Sequence, residues 1–344
     1  MFRASSSGGR NLAGANTGPG ILLGIDIGGT KLNVALGRAT GDLVREARID
    51  DWTSGDAKRD LDKIADTARE LLTAARLDAR ELAAIGVSAP GPLDPSTGVV
   101  RDAPNLRGWH EVAISAHLTR AFGRRVRLEN DANAAALAEW RFGSGRGSRA
   151  FAFLTMSTGV GAGFVLDGAL YRGARFGAGE VGHMPVIAQG LECVCGLRGC
   201  LEVYTGGGAL AARMRAELAA GTRSRILDHA GGDPHAARPE HWIMALREGD
   251  PYARALADSY LDVLAQGIAI LILALDLDRI GLGTMVARNP ELLLEPLRER
   301  VYRRVWPRLR DTQLVPAALG PRLSAYAGLS TALLELESPA SSSP

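Results

Sequence analysis

The residues best equipped for chemistry crowd into one stretch, GEVGHMPVIAQGLECVCGLRGCLE, from Gly179 to Glu202. It holds His183 and all three cysteines of the chain, Cys193, Cys195 and Cys200. Three thiols and one imidazole make a Cys₃His set, the ligand number of a tetrahedral structural zinc site. The C-x-C-G-x-x-G-C spacing lets a short loop turn back on itself, with Gly196 and Gly199 free to take positive φ. An odd cysteine count, in a chain that carries no secretory pattern, argues against a disulfide framework. Chance clustering of buried thiols is the bland alternative. Glu180 and Glu202 flank the cluster, so a bound zinc would hold two carboxylates and an imidazole in a fixed arrangement. The stretch reads as a metal-stapled binding loop.

A second signature is ILLGIDIGGTKLNVALG, Ile21–Gly37. It reads as a strand ending at Asp26, a turn at Gly28, Gly29 and Thr30, and a strand opened by Lys31. So small a turn exposes backbone N–H groups that can line a phosphate. Asp26, at the strand end, is placed to hold Mg²⁺ through water. The stretch lacks the G-K-[ST] of a Walker loop and the G-x-G-x-x-G of a dinucleotide fold, and an ordinary Gly-rich hairpin is the competing reading. The same plan recurs in FAFLTMSTGVGAGFVLDGALYRG, after a break at SGRGS (residues 144–148). There a strand leads to a Gly-rich turn over Ser157–Gly163, then a strand and a D-G hairpin at Asp167–Gly168. Two such units suggest two related halves with phosphates held between them. Asp131 lies in RRVRLENDANAAALAEWRFG, at the corner between a strand ending near Glu129 and an Ala-rich helix to about Phe142. It reads as an N-cap, worth about 1 kcal/mol, and as a general base aimed by that corner; the two roles are compatible. Asn105, in APNLRGW, suits a polyhydroxyl ligand through its paired donor and acceptor, or caps its own turn.

The elements that must position these residues follow from periodicity. Helices are expected over Lys58–Ala75, from Gly208 to about Leu218, from Pro251 through the apolar run Ile268–Leu275, from Pro290, and in SAYAGLSTALLEL near the end. Strands are expected near Leu43–Ile49, Leu82–Ser88 and Arg279–Thr284. With 344 residues, 46% of them hydrophobic, the chain can bury two cores. A formal net charge of +2 gives no electrostatic case for nucleic acid. Ile268–Leu275 is too short to cross a bilayer, and the first twenty residues read as a disordered tail. A soluble cytoplasmic protein without membrane contact is expected.

Taken together, GIDIGGTK, LENDANAAA, STGVGAG and GEVGH…C-x-C-G-x-x-G-C-x-E resemble the ROK family (repressors, open reading frames and sugar kinases), over Ile21 to Leu336. The resemblance implies an α/β, two-domain, actin-like ATPase (ribonuclease H-like) fold with sugar in an interdomain cleft. It sets the small domain at 21–133 and the large one at 134–322, with the zinc loop over 183–200 and a C-terminal helix, 323–336, returning to the small domain. It implies Asp131 as the base, with Asn105, Asn130, Glu180, His183 and Glu202 on the sugar. His183, Cys193, Cys195 and Cys200 match the zinc ligands. Asp26, Gly28, Gly29, Thr30, Lys31, Thr158, Gly159 and Gly283 match the ATP and phosphate positions. The implied cofactors are ATP, Mg²⁺ and structural Zn²⁺, and the implied assembly is a homodimer or homotetramer. Two departures stand out. Gly283-Thr284-Met285 replaces the family's Gly-rich turn near the adenosine, and AGLSTAL replaces its C-terminal small-residue run. No helix-turn-helix pattern precedes Ile21. The expected activity is ATP-dependent phosphorylation of glucose. Fructose, mannose or an N-acetylhexosamine is the alternative substrate, and a non-catalytic sugar-sensing regulator the rival of another class.

Overall fold

The computed structural model describes residues 20–337. The expected tail over residues 1–20 lies outside this range apart from Gly20. The chain divides into two compact units. One takes the chain up to Glu129 and again from Gly328; the other takes Asn130–Ala327. The first crossing thus falls just ahead of the expected boundary at residue 133, and the second falls inside the last helix.

The first unit runs β1 (Ile21–Ile27), β2 (Lys31–Arg38), β3 (Leu43–Asp50), α1 (Ala57–Ala75), β4 (Leu82–Ala89), the small hairpin β5 (Leu93–Asp94) and β6 (Val99–Val100), α2 (Ile114–Phe122) and β7 (Val126–Asn130). Its sheet has the order β3-β2-β1-β4-β7. Strands β1, β2 and β3 form an antiparallel meander, and β4 lies parallel to β1. Leu22, Leu23 and Ile25 on β1 are all fully buried, because the sheet is covered on both faces. Helix α1 packs on β2 and β3 with Ile64, Ala65 and Ala68 inward. On the other face a helix comes so close that a Cβ on Gly24 would lie 2.5 Å from the Leu329 nitrogen. A Cβ on Gly86 would lie 2.1 Å from the nitrogen of Ala332. Those two glycines are what admit the backbone.

The second unit runs α3 (Asp131–Phe142), β8 (Ala150–Met156), β9 (Val160–Leu166), β10 (Ala169–Tyr171), α4 (Glu202–Thr205), α5 (Gly207–Ala219), α6 (Arg225–His229), α7 (Pro239–Arg247), α8 (Pro251–Leu275), β11 (Arg279–Leu282), α9 (Thr284–Arg288), α10 (Pro290–Tyr302), β12 (Gln313–Pro316) and the start of α11 (Leu323–Glu337). Its sheet order, β10-β9-β8-β11-β12, repeats the plan of the first: an antiparallel meander with parallel strands added beside its leading strand. The repeat read from the two strand–turn–strand stretches is therefore a repeat of topology. The alanines of α3 have a local cause, since a Cβ on Gly163 of β9 would lie only 2.6 Å from the Ala136 Cβ.

Two sequence expectations need correction here. The late strand stops at Leu282, because Gly283, whose N–H still donates to the Leu154 carbonyl of β8 at 2.8 Å, is the cap of α9, which opens at Thr284. The apolar run Ile268–Leu275 is the last part of the 25-residue α8, and that whole helix is long and apolar enough to cross a membrane. In this fold 67% of its most apolar window is buried, with Leu264, Ile268 and Ile272 in the core of the unit, so it serves as a core helix.

Candidate active site

In the first unit the β1–β2 turn is closed by the Gly28 N–H donating to the Lys31 carbonyl at 2.8 Å. Trp52 Nε1 donates to the Gly28 carbonyl at 2.8 Å, and the Asp51 N–H to that of Thr30 at 2.8 Å. Thr30 and Lys31 are exposed. Asp26 lies opposite Asn33 on β2 and Ser88 on β4, and the Ser88 hydroxyl donates to its carboxylate at 2.6 Å. Asn33 is buried, and among the described residues neither polar atom of its amide meets a hydrogen-bond partner. A carboxylate beside an orphaned amide fits the water shell of a hard cation. Asn105 is exposed, in a turn closed by Leu106 N–H to the Ala103 carbonyl at 2.9 Å. A Cβ on Gly29 would lie 2.7 Å from the Asn105 carbonyl oxygen, so the structure brings Asn105 against the phosphate turn.

Sequence reasoning missed what stands behind these groups. Asp60, on α1, is 1% exposed. Its carboxylate accepts from the Ser54 N–H (2.7 Å), the Ser54 hydroxyl (2.8 Å), the Thr53 hydroxyl (2.8 Å) and Trp109 Nε1 (3.0 Å). Burial alone would push this carboxyl upward; the hydrogen bonds outweigh it and hold the group below its ordinary value. The only sequence signal was an acidic residue on the apolar face of α1.

In the second unit α3 begins at Asp131, and its cap is Asn130. The Asn130 side-chain oxygen accepts from the N–H groups of Ala132 (3.0 Å) and Asn133 (3.3 Å). The expected cap at Asp131 therefore moves back one residue, because Asn130 has the extended backbone that a cap requires. Asp131 is exposed, with one carboxylate oxygen accepting from the Ala132 N–H at 2.8 Å. The helix N-terminus favours negative charge there.

The second glycine turn is backed by the first residues of α5. The Gly207 and Gly208 N–H groups donate to the carbonyls of Ser157 (2.8 Å) and Thr158 (2.9 Å). A Cβ on Gly207 would lie 2.4 Å from the Ser157 oxygen. The TGGG run at 205–208, passed over in the sequence, is what lets these backbones meet. Glu202 closes the turn from its other side: its carboxylate accepts from the Val160 N–H at 2.8 Å. A Cβ on Gly182 would lie 2.2 Å from the Val160 carbonyl, so GEVGH packs on the same turn. Thr158, Gly159, Glu202 and the His183 segment are thereby brought together, with Glu180 exposed at the segment's start.

The donor atoms of His183, Cys193, Cys195 and Cys200 all lie within 4.8 Å of one another. Cys193 Sγ is 3.6 Å from His183 Nδ1, and Cys195 Sγ is 3.7 Å from Cys200 Sγ. A tetrahedron with Zn–S bonds of about 2.3 Å has edges of about 3.8 Å, so the set fits zinc. Gly199, at φ 77, comes so close to Ile187 that a Cβ would overlap its carbonyl. Burial pushes the Cys200 thiol up to about 12. A cation at the centre would offset that cost by favouring the thiolate. With Nδ1 toward Cys193, the Nε2 edge of His183 is the one left for a second partner.

Gly283 precedes a strained residue: Thr284 sits at φ 34, a region that β-branched side chains rarely adopt. Met285, Met244 and Ile243 line a cavity of about 220 Å³ beside it. Asn289 fixes this corner, donating to the Met285 carbonyl at 3.0 Å and accepting from Arg247 at 3.1 Å.

The sequence model of the ROK family matches residues 22–330. The glucokinase of Thermotoga maritima is 34% identical over 300 residues, covering 86% of this chain and 92% of that protein. Among solved structures, a ROK hexokinase from Thermus thermophilus superposes with a TM-score of 0.79 at 33% identity, covering 92% of this chain and 99% of its own. A ROK family glucokinase from Streptomyces griseus, in complex with glucose and AMPPNP, gives 0.75 at 29% identity, covering 92% and 100%. The paired five-stranded sheets are those of the actin-like ATPase fold of ROK sugar kinases. With a match that spans nearly every described residue, the chain belongs to the ROK family.

Proposed function

We propose that the protein transfers the γ-phosphoryl group of ATP to a hexose, with glucose as the preferred acceptor and its O6 hydroxyl as the attacking group. The hydrogen bond from the Val160 N–H to Glu202 carries this reading. It ties a turn fit for phosphate to the loop that bears Glu180 and His183, and phosphoryl transfer needs acceptor and phosphate side by side. Similarity to the Thermotoga maritima and Streptomyces griseus glucokinases supports glucose. Two carboxylates and an imidazole also suit an unsubstituted polyol ring.

In this reading Asp131 takes the proton of the acceptor hydroxyl, its second oxygen already held by the Ala132 N–H. Asn130, whose oxygen is used in capping, meets the sugar through its amide nitrogen. Glu180, the Nε2 edge of His183, Glu202 and Asn105 orient the ring. The Gly28–Lys31 turn, whose Gly28 N–H is spent in closing it, and the Thr158–Gly159 turn line the phosphates, and Gly283 with Met285 flanks the nucleoside. Asp26 would hold Mg²⁺ through water, an ion that offsets phosphate charge. His183, Cys193, Cys195 and Cys200 would hold a structural zinc, which supplies the cross-link that fixes the loop. The resemblance extends the reading to a cytoplasmic homodimer or homotetramer.

A panel of sugars with ATP in a coupled ADP-release assay tests the proposal. Turnover with glucose is expected. Sugar binding with no ADP formed from any member would overturn the kinase reading in favour of a sugar-sensing regulator, and preference for an N-acetyl sugar would change the substrate.

A further inference from the structure

We propose that Asp60 is a positioning residue that holds the Gly28–Lys31 turn and the Asn105 turn in one arrangement, so that nucleotide and sugar binding are coupled through a single buried carboxylate. This rests on the roles given above to those two turns.

The case starts from what Asp60 is not doing. The cap of α1 is Asp56, whose side chain accepts from the Arg59 N–H at 3.1 Å, so the helix start does not require a second acid. Nor does Asp60 sit in an ion pair with a lysine or arginine among the described residues. Among the described residues, every hydrogen-bond partner of its carboxylate belongs to one of two loops outside the helix. Thr53 and Ser54 come from the segment before α1, and Trp109 from the segment after β6.

Each loop leads directly to a site residue. Trp52, next to Thr53, donates its indole N–H to the Gly28 carbonyl at 2.8 Å, while its own carbonyl accepts from Lys63 at 3.0 Å. Trp109 closes the turn that presents Asn105, donating its backbone N–H to the Leu106 carbonyl at 3.1 Å. The two indoles meet edge to face, with centroids 6.1 Å apart and planes at 79°. The loops also touch directly, since a Cβ on Gly108 would lie 2.0 Å from the Gly55 carbonyl. Gly29 against the Asn105 carbonyl completes a closed circuit of contacts.

The chemistry of the hub explains why it is a carboxylate. Four donors converge on it, and an ionised carboxyl is the side chain that offers acceptors alone, with room for about four. An apolar residue would keep the loops close yet leave those donors unpaired and their directions unset. Because one group orients both turns, a ligand that immobilises one of them restrains the other. Such coupling is reciprocal: nucleotide must tighten sugar binding by the factor by which sugar tightens nucleotide binding.

Calorimetry and steady-state kinetics on the full chain test this with four variants. Asp60→Asn keeps the shape but turns one acceptor into a donor facing donors. Trp109→Phe removes one hydrogen bond on the sugar side and keeps a ring, and Trp52→Phe does so on the phosphate side. Asn105→Ala tests the sugar contact itself. In the wild type, a non-hydrolysable ATP analogue is expected to tighten glucose binding by a factor in the range of about 5 to 150. In Asp60→Asn that factor should fall toward one, with KM raised for both substrates. Trp109→Phe should raise the glucose KM by about tenfold, the worth of one such hydrogen bond, with kcat and the ATP KM nearly unchanged; Trp52→Phe should do the reverse. Lower Tm in all three with both KM values and the coupling factor intact would make Asp60 merely structural and overturn the proposal. So would a wild type with no coupling. If Asn105→Ala changes the glucose KM but Trp109→Phe does not, the positioning role fails alone. If Asn105→Ala has no effect either, the assignment of Asn105 fails and takes the positioning role with it. Should Asp60→Asn not fold, the two tryptophan variants decide the outcome.

Discussion

Asp131 and Asn130 divide one corner between them. Asn130 spends its side-chain oxygen on the N–H groups of Ala132 and Asn133, which leaves Asp131 at the helix start to face outward. Asp131→Asn should therefore lower kcat by roughly 10²–10⁴, the usual worth of a positioned base, while sugar affinity measured by calorimetry stays close to wild type. A variant that keeps more than half the wild-type kcat would remove the assignment. Asn130→Ala should instead cost about 1 kcal/mol of stability, seen as a shift in the urea midpoint, because it deletes a cap. Thr284 raises the opposite expectation. Its φ of 34 stores strain that a glycine would not feel, so Thr284→Gly should add about 1 kcal/mol of stability after the entropy cost of glycine is deducted, read as a higher urea midpoint. An unchanged or lower midpoint would show that the strain is relieved elsewhere in α9. Acid pH tests Asp60: its folded value lies below its ordinary one, so its contribution is present above about pH 4 and lost as pH falls through the lower, folded value. Asp60→Asn should accordingly flatten the acid limb of the stability curve.

At the scale of elements, the loop proposed to be stapled by zinc is the clearest case. Four donors lie within 4.8 Å in a segment with little regular structure, so if zinc joins them its removal should free Glu180, His183 and Glu202 together. Metal analysis should find about one zinc per chain, and chelation should abolish sugar binding along with amide protection over this loop. Metal-free protein with full activity would end that reading. The loop was legible because its ligands are close in sequence and their types are rare. The two Gly hairpins were legible for a similar reason, since strand, turn and strand are consecutive. The cap of α3 was not, because N-D-A-N offers adjacent capping side chains and only the backbone of Asn130 decides among them. The strand end at Leu282 was not legible either, because it is set by Gly283 serving as the cap of α9, which no strand-forming pattern announces. Glu202 on Val160 and Trp109 on Asp60 are likewise contacts over 42 and 49 residues, and no spacing rule encodes them.

Across the whole molecule the two units repeat more than a sheet. Each has a buried carboxylate that gathers donors from its loops: Asp60 in the first, and in the second Glu139, which accepts from the N–H groups of Ser144 at 2.7 Å and Leu319 at 2.9 Å. A scaffold held this firmly suits a site that reads hydroxyl groups one by one. If Glu180, His183 and Glu202 all bond the ring, deleting one contacted hydroxyl strands a charged or polar partner. Sites of that kind discriminate by as much as ~10⁴–10⁵, far beyond what an apolar pocket achieves against a lost methylene. A deoxy sugar that lacks a contacted hydroxyl should therefore lose most of its kcat/KM, whereas anomeric changes should cost less. Comparing calorimetric binding with ADP release for glucose, 2-deoxyglucose, N-acetylglucosamine and fructose separates the possibilities. A kinase for glucose shows binding and turnover falling together as hydroxyls are removed or substituted. A regulator shows the same order of binding with no ADP from any of them. Equal kcat/KM for glucose and for every monodeoxy sugar would mean that these three side chains do not read the ring at all, and the site would then have to be sought on other residues of the same loop.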